Sequence, residues 1–177
     1  SSREVFPNLF SNISKLFQII FYKRRSIFQI ILKYFHYEVF PNDLLQRQIP
    51  NRLQVGDLVY VSGQVSQDTS GFIIGKLGDN MSTQDGASAA RTCAVALLAQ
   101  VKAACGGDLD RLVRVVKLSG FVNSTQDYIE QPKVINGASD FLVEALGDAG
   151  KHARAAVSSP SLPMGVAVEI EGIFQIT

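Results

Sequence analysis

From Gly56 onward the chain alternates between stretches with a two-residue hydrophobic period and stretches with a helical one. Leu58–Val65 (LVYVSGQV) is rich in β-branched and aromatic residues and reads as a strand. Gly63 within it marks a bulge or a close backbone approach. Asp68-Thr69-Ser70-Gly71 is a turn, and Phe72-Ile73-Ile74 returns as a short antiparallel strand. Ser82 with Asp85 three residues on resembles a capping box. The helix that follows carries Ala90, Ala94, Leu97, Leu98, Val101 and Cys105 on one stripe and stops at Gly106-Gly107. Arg111–Val122 predicts a strand, and Asn123-Ser124-Thr125 a turn. A second helix is expected from Asp127 or Tyr128 to Leu146, with Pro132 early in it and a stripe of Val134, Ile135, Ala138, Phe141, Leu142, Ala145 and Leu146. Two more strands close the chain. Arg154–Ser158 and Val166–Glu171 are expected to form a hairpin across Pro160 and Pro163.

The resulting order, β-β-α-β-α-β-β, places two helices on one face of a mixed or antiparallel sheet, an α+β two-layer sandwich. The other face then lacks a helical cover, so oligomerisation through the sheet is expected.

Residues 1–50 follow a different pattern. They contain no Gly or Ala, hold seven of the eleven Phe, and show no acid between Glu4 and Glu38. Leu16–Phe21 (LFQIIF) recurs as Ile27–Leu32 (IFQIIL), eleven residues on. The Lys23-Arg24-Arg25 cluster interrupts the apolar runs far short of the ~20 residues that span a bilayer. Three readings stay open: a targeting or membrane-surface leader, a native helical extension, or translated AT-rich upstream sequence outside the mature protein. A membrane contact or an organellar (mitochondrial) location is expected only if this extension is native; otherwise the expectation is cytoplasmic. Residues 51–177 form the domain from which function is read.

Composition narrows the chemistry. Apolar residues make up 46% and charged residues 19%, as in globular domains with a sizeable core. Residues 1–50 carry seven Lys/Arg against three Asp/Glu, hence +4, and residues 51–177 carry ten against thirteen, hence −3. The domain lacks the basic footprint of a nucleic-acid binder. Cys93 and Cys105 fit no zinc spacing and two histidines make no metal cluster, so no metal is expected. Ser62 and Ser139 are present, but His152 sits beside a turn and no nucleophile elbow or phosphate loop occurs. What remains is Ser62, Asn136, Arg154 and Glu169. On neighbouring strands, Arg154 and Glu169 suit either a sheet-surface ion pair or a pair that holds a small carboxylate and a water.

Three segments carry a resemblance: Val55–Gln64 (VGDLVYVSGQ), Gly120–Gly137 (GFVNSTQDYIEQPKVING), and Arg154–Ile170, which leads into LPMGVAVEIE. Together they resemble the RidA/YjgF family, reactive-intermediate deaminases once labelled endoribonuclease L-PSP or translation inhibitors. The likeness is to the branch with a long Q-P-K-V-I-N-G-A-S-D stretch. It implies a chorismate-mutase-like homotrimer, with three sheets forming a barrel and a cleft between each pair of subunits. It further implies cofactor-free hydrolysis of 2-imino or 2-enamino acids, such as 2-aminoacrylate, to 2-keto acids and ammonia. By position, Arg154 would grip the substrate carboxylate and Glu169 would orient or activate water. Ser62, Gly63, Asn136 and the Ala156 backbone would line the cleft. Two positions depart from the family: its cysteine is Ala156 here, and its tyrosine aligns with Ile49. The leading expectation is therefore an imine/enamine deaminase, a hydrolase. Non-catalytic binding of keto acids is the alternative, and an endoribonuclease fits the acidic domain poorly.

Overall fold

The computed structural model describes residues 49–177, and the readings made for residues 1–48 lie outside the described residues. The strands are β1 (Arg52–Val55), β2 (Leu58–Val65), β3 (Gln67–Asp68), β4 (Gly71–Phe72), β5 (Leu112–Asn123), β6 (Ala153–Ser159) and β7 (Val168–Ile176). The helices are α1 (Thr83–Ala104) and α2 (Gln131–Leu146). Five strands make one sheet in the order β1-β2-β7-β5-β6, and β3 and β4 form a small separate ribbon. Only β5 and β6 run parallel; the other pairs in the sheet are antiparallel. The expected α+β mixed sheet with two helices is what forms.

The expected final hairpin does not form. β7 lies in the middle of the sheet between β2 and β5, while β6 is the edge strand on the far side of β5. The residues explain the separation. Val168, Ile170, Phe174 and Ile176 are all buried on the helix-covered face of β7, as suits a central strand, whereas most of β6 is exposed, as suits an edge. Between them Pro160, Pro163 and a 3-10 turn over Pro163–Gly165 carry the chain across, with Met164 at φ 54°. Alternation reveals a strand's faces, but not its partner.

Two boundaries also differ. The strand β1 is four mostly exposed residues, too short for its Leu53/Val55 alternation to announce a strand; it pairs with β2 through a two-residue turn at Gly56-Asp57, where Gly56 takes φ 62°. Helix α2 begins at Gln131 rather than at 127 or 128. Pro132 then falls in the first turn, where its missing N–H costs nothing. Helix α1 starts as read: the Ser82 hydroxyl accepts from the Asp85 N–H at 3.1 Å and donates to the Asp85 carboxylate at 2.6 Å. It ends where the Gly107 N–H reaches back to the Lys102 carbonyl at 2.8 Å.

The two helices lie together on one sheet face. Gly137 of α2 meets the backbone of Ala87 on α1, where an added Cβ would sit 1.9 Å from the Ala87 carbonyl oxygen. Below it, Ile135 fills the space over Gly120 of β5. On the opposite face Leu53 and Val55 are each 58% exposed, with Tyr60 and Val157 at 42% and 46%, so apolar side chains stand there with no helix over them among the described residues.

Candidate active site

The residues singled out from sequence fall into two groups. The first surrounds a bulge in β2. Val61 pairs with Gly172 and Gln64 with Ile170, so Ser62 and Gly63 together face Glu171. The carboxylate of Glu169 lies directly over Gly63, whose absent Cβ would come within 1.9 Å of Oε1. Because Val168 and Ile170 point into the core, Glu169 is turned to the uncovered face, half-buried. Desolvation raises its carboxyl above the ordinary value, and the neighbouring negative charge of Glu171 adds to the rise. Ser62 is exposed; its hydroxyl donates to the Pro50 carbonyl at 3.3 Å. A shallow cleft of about 360 Å³ begins here and includes Ile49, Tyr60, Ser62, Lys117 and Glu171 in its lining. A wider hollow of about 570 Å³ lies elsewhere, around Asp57, Arg114, Lys151 and His152, and holds neither Arg154 nor Glu169. Its size therefore says little about the chemistry.

The second group lies at the other side of the sheet, where α2 packs beside β6. Arg154 pairs in register with Leu118, a core residue of β5, so its side chain emerges on the helix face. Its Nη1 donates to the Ser139 hydroxyl at 3.0 Å and its Nη2 to the Pro132 carbonyl at 3.3 Å. Pro132 and Ser139 are seven residues apart on α2, hence on one face, and exposed Asn136 lies between them on that face. Ala156 follows Arg154 on the same side of β6, half-buried and paired with Gly120. As the edge strand, β6 leaves alternate peptide groups free of the ladder. Ser139 also bonds to His152 at 3.0 Å, a pairing hidden in the sequence by a separation of thirteen positions.

Arg154 and Glu169 are thus not on neighbouring strands. β5 separates them, their side chains leave opposite faces, and their partners on β5, Leu118 and Phe121, are three positions apart. The reading as a sheet-surface ion pair fails for the same reason, and neither residue joins an ion pair among the described residues. No group of His, Cys, Asp or Glu that could hold a metal occurs among the described residues. Cys93 is fully buried and hydrogen-bonded to backbone, and desolvation pushes its thiol far above the ordinary range, so it is a packing residue.

Comparison with known proteins places these two groups in context. The family described as YjgF/chorismate mutase-like, putative endoribonuclease, matches residues 46–171. The chain belongs to the YjgF/RidA family. The match runs from before Ile49 to Glu171, so both groups of residues lie within the family's extent. Protein TCP17 of Trypanosoma cruzi is 44% identical over 123 residues, 68% of this chain and 76% of that protein. A protein of unknown function from Agrobacterium tumefaciens is 39% identical, covers 86% of this chain and 97% of its own, and superposes with a TM-score of 0.75. A protein from Shewanella oneidensis, called a putative endoribonuclease, is 28% identical with a TM-score of 0.73, covering 84% and 98%. Ile49, 80% exposed, lines the β2 cleft with an aliphatic side chain.

Proposed function

We propose that the chain is a RidA-like deaminase that hydrolyses 2-imino or 2-enamino acids to 2-keto acids and ammonia, in a cleft that two subunits of a homotrimer build together. The observation that carries this reading is the separation of Arg154 from Glu169. Each would supply one part of the chemistry, and each lacks the other half within one chain. Arg154 presents an exposed guanidinium with five N–H groups, of which Ser139 and Pro132 engage two, leaving donors for a carboxylate. Glu169 offers a carboxylate with no cationic partner among the described residues, and its raised pKa suits proton exchange with an attacking water. The exposed apolar face of the sheet, with Leu53, Val55 and Val157, gives a second and third copy a surface to bury.

In the proposed cycle Arg154 holds the substrate carboxylate, which places the imine carbon near the Glu169 of the neighbouring subunit. Glu169 takes a proton from water as the oxygen attacks that carbon, giving a carbinolamine. The cycle starts from the protonated imine, so Glu169 then returns that proton to the carbinolamine nitrogen. As the C–N bond breaks, the hydroxyl proton passes to the Glu169 carboxylate and on to solvent, and ammonia and the keto acid leave. Ser62, Asn136 and the backbone at Gly63 and Ala156 would line the cleft. The test is ammonia release when freshly generated 2-aminoacrylate meets the wild-type chain and Arg154→Ala. Loss of turnover in a well-folded oligomer of the variant is expected, and an unchanged rate would sink the proposal.

One observation favours a second reading. Ile49 and Ala156 carry no hydroxyl or thiol at the positions where the resemblance would put the family tyrosine and cysteine. A trimer that only binds keto acids would bind pyruvate saturably, lose that binding in Arg154→Ala, and release no ammonia.

A further inference from the structure

The hydrogen bonds behind Arg154 have a direction that can be read off atom by atom. His152 Nδ1 lies 2.6 Å from the carbonyl oxygen of Gly150, an acceptor only, so Nδ1 must carry the proton. In the neutral ring Nε2 is then an acceptor. It lies 3.0 Å from the Ser139 hydroxyl, which therefore donates to it. With its hydrogen committed, the Ser139 oxygen turns lone pairs outward, and one of them receives Arg154 Nη1–H at 3.0 Å. In the neutral ring the chain of donation runs from Arg154 to Ser139 to His152 to the Gly150 carbonyl.

Both ends of this chain are anchored. Gly150 is wedged beneath the C-terminal end of α2, where an added Cβ would lie 2.2 Å from the Leu142 carbonyl oxygen. Its carbonyl is therefore fixed against the helix that carries Ser139. At the other end the Pro132 carbonyl, two helical turns before Ser139, receives Arg154 Nη2 at 3.3 Å. The guanidinium is held across two turns of one helix face. Five N–H groups in a rigid plane leave it little freedom once two are fixed.

We infer that Ser139 and His152 are positioning residues that fix the plane of the Arg154 guanidinium and so select a carboxylate-bearing ligand over an uncharged one. This rests on the proposed role of Arg154 but adds two residues that touch no reacting atom. Bidentate recognition of a planar carboxylate depends on the orientation of the fork as well as its charge. A guanidinium free to rotate would keep the charge and lose that geometry. The pair does not act as a free nucleophilic dyad here, because the Ser139 oxygen already accepts from Arg154 Nη1 at 3.0 Å.

The test uses the full chain labelled with nitrogen-15 at roughly pH 8, where an ordinary imidazole is neutral. His152 signals, assigned against His152→Gln, should show a protonated Nδ1 and a bare Nε2. Arg154 signals, assigned against Arg154→Lys, should report slow rotation of the guanidinium. Ser139→Ala should release that rotation, and Ser139→Thr, which keeps the hydroxyl, should preserve it. An Nε2–H tautomer in the wild type overturns the relay without need of any variant. So does an Arg154 signal indifferent to Ser139→Ala in a folded protein. With 2-aminoacrylate, Ser139→Ala should raise KM by about tenfold with a smaller change in kcat, and Ser139→Thr should restore it. A lowered melting temperature with unchanged KM would mark a merely structural bond and overturn the positioning role. Should the wild type release no ammonia, the deaminase reading fails by itself, and the spectra decide the relay.

Discussion

Glu169 is held by its surroundings in a state that opposes folding at neutral pH. Desolvation, and after it the charge of Glu171, lifts its carboxyl above the ordinary value of 4.5. A carboxyl raised in this way stabilises the fold while protonated. That contribution is fully present below the unfolded-state value and is lost as pH rises through the folded one. Ionised Glu169 therefore costs stability at pH 7. Glu169→Gln is expected to melt higher than wild type at neutral pH, with the gain vanishing below about pH 4, where both forms are uncharged. The same variant should lose ammonia release by about a hundredfold or more if the carboxylate exchanges protons with water. In the wild type the acid limb of the rate profile should lie above pH 4.5. A variant that melts lower at pH 7 would contradict this account of Glu169. Gly63 offers an independent check, because a Cβ there would collide with the Glu169 carboxylate rather than with backbone. The carboxylate can swing aside, and the φ of Gly63 is not in the left-handed region. Gly63→Ala should then fold with a melting temperature close to wild type and still lose about a hundredfold in rate. Equal loss of stability and rate would instead make Gly63 a structural glycine.

The placement of Arg154 depends on how closely α2 approaches its neighbours. Gly137 meets Ala87 backbone to backbone, and no side-chain rotation can relieve an added methyl at 1.9 Å from a carbonyl oxygen. Gly137→Ala is expected to cost about 2–3 kcal/mol of unfolding free energy, read from a denaturant titration. A cost under about 0.5 kcal/mol would mean the helices are looser than drawn here. These elements also show what a sequence can and cannot disclose. The stripe on α1, its Ser82 cap and the extent of β2 follow from periods and capping chemistry confined to a few neighbouring residues. Strand β1 is hard to read because its Leu53/Val55 alternation spans only four residues, beside an atypical extension. The start of α2 was misplaced because helical periodicity extends over 127–130 as easily as it does over 131–134, and only Pro132 favours the later start. The site was legible as a set of residue types, through Arg154 and Glu169, but not as an arrangement. Alternation correctly turned Glu169 outward, yet nothing local indicated that β7 would insert between β2 and β5 and leave β6 at the edge. Ser139 and His152 were visible as a serine and a histidine; their contact depends on α2 folding back over β6.

At the scale of the whole molecule, the separation of Arg154 and Glu169 makes the proposed trimer a requirement of the chemistry as well as of the exposed sheet face. One chain cannot close both groups on a small substrate, since β5 lies between them and their side chains leave opposite faces. This permits a genetic test that distinguishes shared from self-contained sites. Arg154→Ala and Glu169→Gln should each be inactive alone. When the two are unfolded together and refolded as a one-to-one mixture, random assembly pairs an intact Arg154 with an intact Glu169 from a neighbour at about a quarter of the clefts. Recovery of about a quarter of the wild-type rate is expected. If each chain instead supplied both groups to its own site, every cleft in the mixture would lack one of them, and no activity would return. Mass measurement of the mixture separates this outcome from a failure to exchange subunits. Mixed trimers without activity would place the Arg154 and Glu169 functions within one chain, against the geometry of the sheet.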